Sequence, residues 1–210
     1  MNIYIYGDSN TWGYVPNVNG YSKNAISKQY PQELIWWNCL TKQHNIIVNG
    51  LCGRAINNDN PWLEGRNASK TIEQDLKEIN NKIDLCIIQL GTNDCKSAYN
   101  LTADKITQNM KNLIIKIKNK LNCEILLISP AIIKSGNKIT DKYYIGAEKK
   151  SVELNDKYYN LCKELNINFV SGMVAETGED GEHLTINGHK YLSEKINKKI
   201  KVKFKNKGKI

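Results

Sequence analysis

Five short apolar runs recur along the chain, at 3–6, 46–48, 85–90, 125–128 and 167–170, and segments of helical period separate them. Runs that are apolar nearly throughout, without polar alternation, suit strands buried on both faces. Strands that each return through a helix suit parallel pairing. The spacing predicts a helix over 31–42, with Pro31 in its first turn, and a second lined by Ile72, Leu76, Ile79 and Ile83. Thr102 is placed to cap a third, whose stripe is Ile106, Met110, Leu113, Ile114, Ile117 and Leu121. A fourth stripe comprises Leu154, Tyr158, Leu161, Cys162 and Leu165, and a last helix begins near Thr185. The expected fold is α/β, a three-layer α/β/α sandwich around a five-stranded parallel sheet. Past Lys199, the alternation of Ile200, Val202 and Phe204 with Lys fits either an edge strand or a disordered end.

At 210 residues the chain is long enough for one well-buried core. A single domain over 1–210 is expected, with a Lys-rich C-terminal tail from about residue 200. No apolar run approaches the ~20 residues of a membrane-spanning helix, so membrane insertion is not expected. The net charge of +9 suggests nucleic acid or an anionic surface as a partner until its location is considered. Residues 190–210 hold nine Lys and one Glu, leaving 21 basic and 20 acidic side chains in the rest of the chain. The body is therefore nearly neutral, and no nucleic-acid partner is expected. The six Cys (39, 52, 86, 95, 123 and 162) show no C-x-x-C pair and no metal-ligand spacing. Free thiols, together with an apolar start that runs directly into Gly7 and leaves no room for a signal peptide, predict a cytoplasmic protein.

In parallel α/β sheets ligands bind beyond the carboxyl ends of the strands. The loops there span 7–13, 49–67, 91–94 and 171–183, and each delivers one chemically suggestive element. Gly7-Asp8-Ser9-Asn10-Thr11-Trp12-Gly13 puts a serine at a strand-to-helix turn, where its hydroxyl and its backbone N–H face the same space. With Gly50-Leu51-Cys52-Gly53-Arg54, Gly91-Thr92-Asn93-Asp94 and Asp180-Gly181-Glu182-His183-Leu184-Thr185, these loops supply what acyl transfer needs: a nucleophile, an oriented base and oxyanion donors.

Those four blocks, in that order, resemble the blocks of SGNH or GDSL-type esterases, over residues 3 to about 195. Together with Asp59-Asn60-Pro61 and Gly65-Arg66-Asn67 they look most like the arylesterase and acyltransferase branch. The resemblance implies a flavodoxin-like SGNH fold, hydrolysis of a carboxylic ester and no cofactor or metal. Ser9 would be the nucleophile, His183 the base and Asp180 the acid that orients it. Among the three His, only His183 has a carboxylate three residues before it, while His44 and His189 read as structural or solvated. Glu179 and Glu182 flank the pair, and the family spacing favours Asp180. The oxyanion donors by resemblance are the backbone N–H groups of Ser9 and Gly53 and the side chain of Asn93. Gly50 is the other glycine that could fill the role given to Gly53.

Asp8, Thr92 and Asp94 read as residues that hold these loops in shape, and Asp8 also stands beside the substrate position. Trp12 and Tyr14 after Ser9, and Trp62 in the loop after Gly53, would crowd the acyl site and favour short or aryl esters. The expected partner is thus a small-molecule ester. Water normally completes such a cycle, with alcohols or peroxide as competing acceptors in this branch, where assembly into homo-oligomers is also common. Sugar acetyl esters and lysophospholipids are rival substrates of the same chemistry. A non-catalytic binding module is the rival of another class, against which the intact Ser9, Asp180 and His183 stand.

Overall fold

The computed structural model describes residues 1–19, 27–60, 63–79 and 82–205. Strand β1 (Asn2–Gly7) turns Ile3 and Ile5 to one face and Tyr4 and Tyr6 to the other, and all four are buried. The same double burial holds for β3 (Leu85–Gln89) and most of β4 (Glu124–Ile128), which is why these runs carry no polar alternation. With β2 (Asn45–Gly50) and β5 (Asn168–Val170) they form a parallel sheet in the order β2-β1-β3-β4-β5. The expected three-layer α/β/α fold is the one observed.

One face is covered by α2 (Ala68–Lys77), α3 (Ala103–Leu121) and α5 (Ala147–Glu164), the short α4 (Thr140–Tyr143) preceding α5 in the chain. Ile106, Met110, Leu113, Ile114 and Ile117 of α3 are buried against it, and the Thr102 side chain accepts from Lys105 N at 3.2 Å as the N-cap. Helix α2 ends at Lys77, short of Ile79 and Ile83. Asp84 N already bonds Asn2 O at 2.9 Å to start β3, so those two apolar side chains reach the core from the connection.

The other face is covered by α6 (Ile186–Lys205) and the segment around Trp36. The helix expected over 31–42 is instead two 3₁₀ turns, Gln32–Leu34 and Trp36–Leu40, parted by extended Ile35. Ile35, Trp36, Trp37 and Leu40 are all buried. Both indoles also need acceptors: Trp36 Nε1 donates to Gln89 Oε1 at 2.9 Å and Trp37 Nε1 to Thr11 O at 2.8 Å. A regular amphipathic helix cannot turn two adjacent tryptophans inward on such different partners.

The segment 200–204 is neither an edge strand nor a disordered end, because α6 continues through it to Lys205. Ile200 completes the buried row Leu192, Ile196, Ile200 at spacing four, so the helical period overrides the local alternation, and Val202 is exposed. No helix among the described residues is long and apolar enough to cross a membrane. All six Cys are free.

Candidate active site

Register brings the strand ends together. Gly7 pairs with Gly50 on one side and Gln89 on the other, so the loops after β1, β2 and β3 leave the sheet side by side. The first loop goes directly into the short helix α1 (Ser9–Trp12). Asp8 caps it, its Oδ1 accepting from Asn10 N at 2.9 Å, and Ser9 is the first helical residue. Asp8 has no solvent exposure, and burial raises its pKa to about 6 against the opposing bond from Asn10. It therefore holds the loop in shape.

Ser9 Oγ lies 2.9 Å from His183 Nε2, and His183 Nδ1 lies 2.8 Å from Asp180 Oδ2. All three side chains are buried, with Ser9 4% and His183 6% exposed, so the chain of bonds is largely shielded from water. Asp180 is saturated by backbone donors: its Oδ1 accepts from His183 N at 3.0 Å and Glu182 N at 3.2 Å, and its Oδ2 from Asn17 N at 2.8 Å. Burial alone raises a carboxyl pKa, but here the His183 and backbone bonds prevail and hold it below its ordinary value. At His183 burial opposes the charged ring, yet the carboxylates of Glu182, Asp180 and Asp8 outweigh it and the pKa is raised. Asn10 fastens the two halves together. Its Nδ2 donates to Glu182 O at 3.1 Å and its Oδ1 accepts from Leu184 N at 2.9 Å, clamping the histidine loop onto α1. Tyr14 stacks on the imidazole at 4.3 Å between ring centroids.

The two glycines of the second loop have separate tasks. A Cβ on Gly50 would sit 2.6 Å from Trp12 N, so Gly50 lets α1 pack on the end of β2. Gly53 has φ +79°, which side-chain-bearing residues rarely adopt, and faces Asn60, Leu63 and Arg66. Buried Arg54 ties the loop to the sheet, its Nη1 donating to Gly7 O at 2.9 Å and to Asn49 O at 2.7 Å. Asn93 Nδ2 donates to Arg54 O at 3.1 Å, which brings the third loop against the second. Asp94 accepts from Ile56 N at 3.0 Å and from Asn58 Nδ2 at 3.1 Å, and burial raises its pKa to about 7. Among the described residues, the backbone N–H groups of Ser9 and Gly53 and the second N–H of Asn93 have no acceptor.

Ser9, His183, Asp180 and Tyr14 are thus brought together, with the loops of Gly53 and Asn93 alongside. Trp12 packs on Tyr14 through ring contact. It stands one ring further out, 6.2 Å from Tyr14 between centroids, and lines a groove of about 360 Å³ with Trp37, Gln29 and Val48. Trp62 lies outside the described residues. Glu179 accepts from Val18 N at 3.4 Å, and Glu182 accepts a hydrogen bond from the Tyr144 hydroxyl, so neither takes the place of Asp180 at the ring. His189 is fully buried beside Tyr30, and burial lowers its pKa to about 4. Asn10 and Lys96 escape a reading by motif. Asn10 acts through a contact 174 residues away, whereas Lys96, three after Asn93 at a 3₁₀ turn, carries a signal in its spacing.

A serine hydroxyl in contact with an imidazole whose other nitrogen meets a carboxylate can be deprotonated as it attacks a carbonyl. Relatives bear on this chemistry. The native aryl esterase of M. smegmatis superposes with a TM-score of 0.87 at 25% identity, covering 96% of this chain and 99% of its own. A carbohydrate acetylesterase from Sinorhizobium meliloti superposes at 0.85 with 25% identity, covering 96% and 99% respectively. An acetyl-xylooligosaccharide esterase from Geobacillus shares the fold, with a TM-score of 0.66 at 16% identity over 95% of this chain and 93% of its own. No curated protein sequence matches the chain significantly. The model of the GDSL-like lipase/acylhydrolase family matches residues 5–191, and the chain belongs to that family of ester hydrolases.

Proposed function

We propose that the protein is a serine esterase that cleaves short acyl or aryl carboxylic esters through an acyl-enzyme on Ser9. The observation that carries this reading is the unbroken run from Ser9 Oγ to His183 Nε2 at 2.9 Å and from His183 Nδ1 to Asp180 Oδ2 at 2.8 Å. Ser9 Oγ attacks the carbonyl carbon while its proton passes to His183 Nε2. The carbonyl oxygen becomes an oxyanion, received by the N–H groups of Ser9 and Gly53 and the Asn93 amide. As the carbon–oxygen bond to the alcohol breaks, His183 returns the proton to the leaving oxygen. Water then attacks the acyl-enzyme by the same route in reverse and releases the acid. An alcohol or peroxide taking the place of water gives a new ester or a peracid.

A fluorophosphonate is expected to label the protein with one equivalent, at Ser9 by peptide mass spectrometry, and a chelator is expected to leave esterase activity intact. Labelling elsewhere would overturn the assignment.

The expected acyl group is short. A methyl on Gly53 would lie 3.3 Å from Asn60 Nδ2 and 3.5 Å from Leu63, and Tyr14 closes the side of His183. A site open to long chains gains about 0.8 kcal/mol per methylene, so kcat/KM would climb several-fold per step from C2 to C8. For this enzyme the profile on aryl esters is expected to fall beyond C3 or C4. A steady climb to C8 would point to lipid esters instead. Sugar acetyl esters are the second reading, supported by the 0.85 TM-score to a carbohydrate acetylesterase. Acetylated oligosaccharides compared with phenyl acetate separate the two.

A further inference from the structure

Lys96 is buried with 5% exposure, and its Nζ donates to Asn93 Oδ1 at 2.9 Å. A lysine is rarely taken out of water unless its charge has a use. Burial lowers the Lys96 pKa, and the carboxylates of Glu182, Asp8 and Asp94 oppose that loss of charge, while its Nζ sits 5.7 Å over the centre of the Tyr144 ring. Tyr144 in turn donates a hydrogen bond from its hydroxyl to Glu182, the residue before His183. A buried polar cluster therefore runs beneath the site from the Asn93 loop to the histidine loop.

The Asn93 amide has one oxygen and one nitrogen, and its two ends meet opposite demands. Its nitrogen faces a carbonyl, Arg54 O at 3.1 Å, which can only accept. Its oxygen faces an ammonium, which can only donate. A turned-over amide would set donor against donor and acceptor against acceptor, so the two partners permit one orientation. In that orientation one nitrogen proton is used by Arg54 O and the other has no acceptor among the described residues. The ammonium beside the oxygen also draws electron density from the nitrogen and strengthens that second N–H as a donor.

We infer that Lys96 is a positioning residue of the esterase reaction, which locks and polarises the Asn93 amide so that its spare N–H meets the oxyanion. This rests on the reading of Asn93 as an oxyanion donor, and the test separates the two. Asn93→Ala, Lys96→Met and the double variant are compared on a neutral acetyl aryl ester, with folding followed by circular dichroism. A lost oxyanion donor costs about 10²- to 10³-fold in kcat, and a misaimed one less, so Lys96→Met is expected to lower kcat about 10- to 100-fold with KM within about threefold. Affinity for a trifluoromethyl ketone, which forms the oxyanion on Ser9, is expected to fall in parallel. In the Asn93→Ala background, Lys96→Met is expected to cost less than about threefold, because its target is gone.

Equal losses in both backgrounds, or a folded Lys96→Met with unchanged kcat, would overturn the role of Lys96 and leave that of Asn93 standing. An Asn93→Ala enzyme with full kcat would overturn the reading of Asn93 and this inference with it. If Lys96→Met does not fold, Lys96→Gln takes its place in the same cycle with the same criteria. Its amide can accept as well as donate and cannot lock Asn93 by charge.

Discussion

Ser9→Ala is expected to lower kcat/KM on a short aryl ester by at least about 10⁴-fold, and to abolish labelling by a fluorophosphonate. The size of the effect follows from how little else could take over. Ser9 is the side chain bonded to His183 Nε2, and it is the first residue of α1, directly after the Asp8 cap. Cys52, close by in the second loop, is no substitute, because burial raises its thiol pKa to about 12, with the Asp8 charge adding to the effect. A thiol held protonated is a poor nucleophile. The fold should survive the change, since removing one hydroxyl leaves the Asp8 cap and the Asn10 clamp in place. Thermal unfolding within a few degrees of the parent would confirm an intact fold, and residual activity within about 100-fold of the parent would refute the mechanism.

Asp180→Asn is expected to cost about 10³- to 10⁴-fold in kcat/KM, and also to move the pH dependence. Oδ2 holds His183 Nδ1 at 2.8 Å, so the acid fixes the tautomer that leaves Nε2 free to accept from Ser9. An amide in its place can donate to Nδ1 and favour the wrong tautomer. The sign of the pH effect follows from charge. His183 must be neutral to act as base, and Glu182, Asp180 and Asp8 together raise its pKa despite burial. The parent kcat/KM should therefore be lost as pH falls through a value above the ordinary 6.5 of histidine. Removing the Asp180 charge should shift that limb to lower pH, while Glu182 and Asp8 keep part of the elevation. A profile between pH 5 and 9 tests this, and an unmoved acid limb would assign it to a group other than His183.

Much of the site was legible because catalysis constrains residue type and short-range order. Ser9 at a strand end, Asp180 three before His183, and Asn93 in Gly-Thr-Asn-Asp each sit in a loop whose local sequence states its chemistry. Between Gly50 and Gly53 the resemblance favours Gly53, and the fold sets the two apart: Gly50 ends β2 against Trp12, and Gly53 follows with a positive φ. Trp12, close to Ser9 in sequence, lies a ring away from His183 in space because α1 directs successive side chains to different sides.

From the sequence by itself came the parallel sheet and most of the helices that cover it, because periodicity and burial on both faces are local properties of the chain. What only the tertiary structure decided is how distant segments satisfy one another's polar groups. Trp36 and Trp37 broke an expected helix into 3₁₀ turns to reach acceptors on β3 and α1. Ile200 kept α6 helical where the local alternation suggested a strand, since its partners Leu192 and Ile196 were already seated on the sheet. Asn10, Lys96 and Tyr144 entered the site through bonds to residues on other loops. Such pairings depend on which groups are left without water when the layers close, and that is set by the assembled fold rather than by any segment of it.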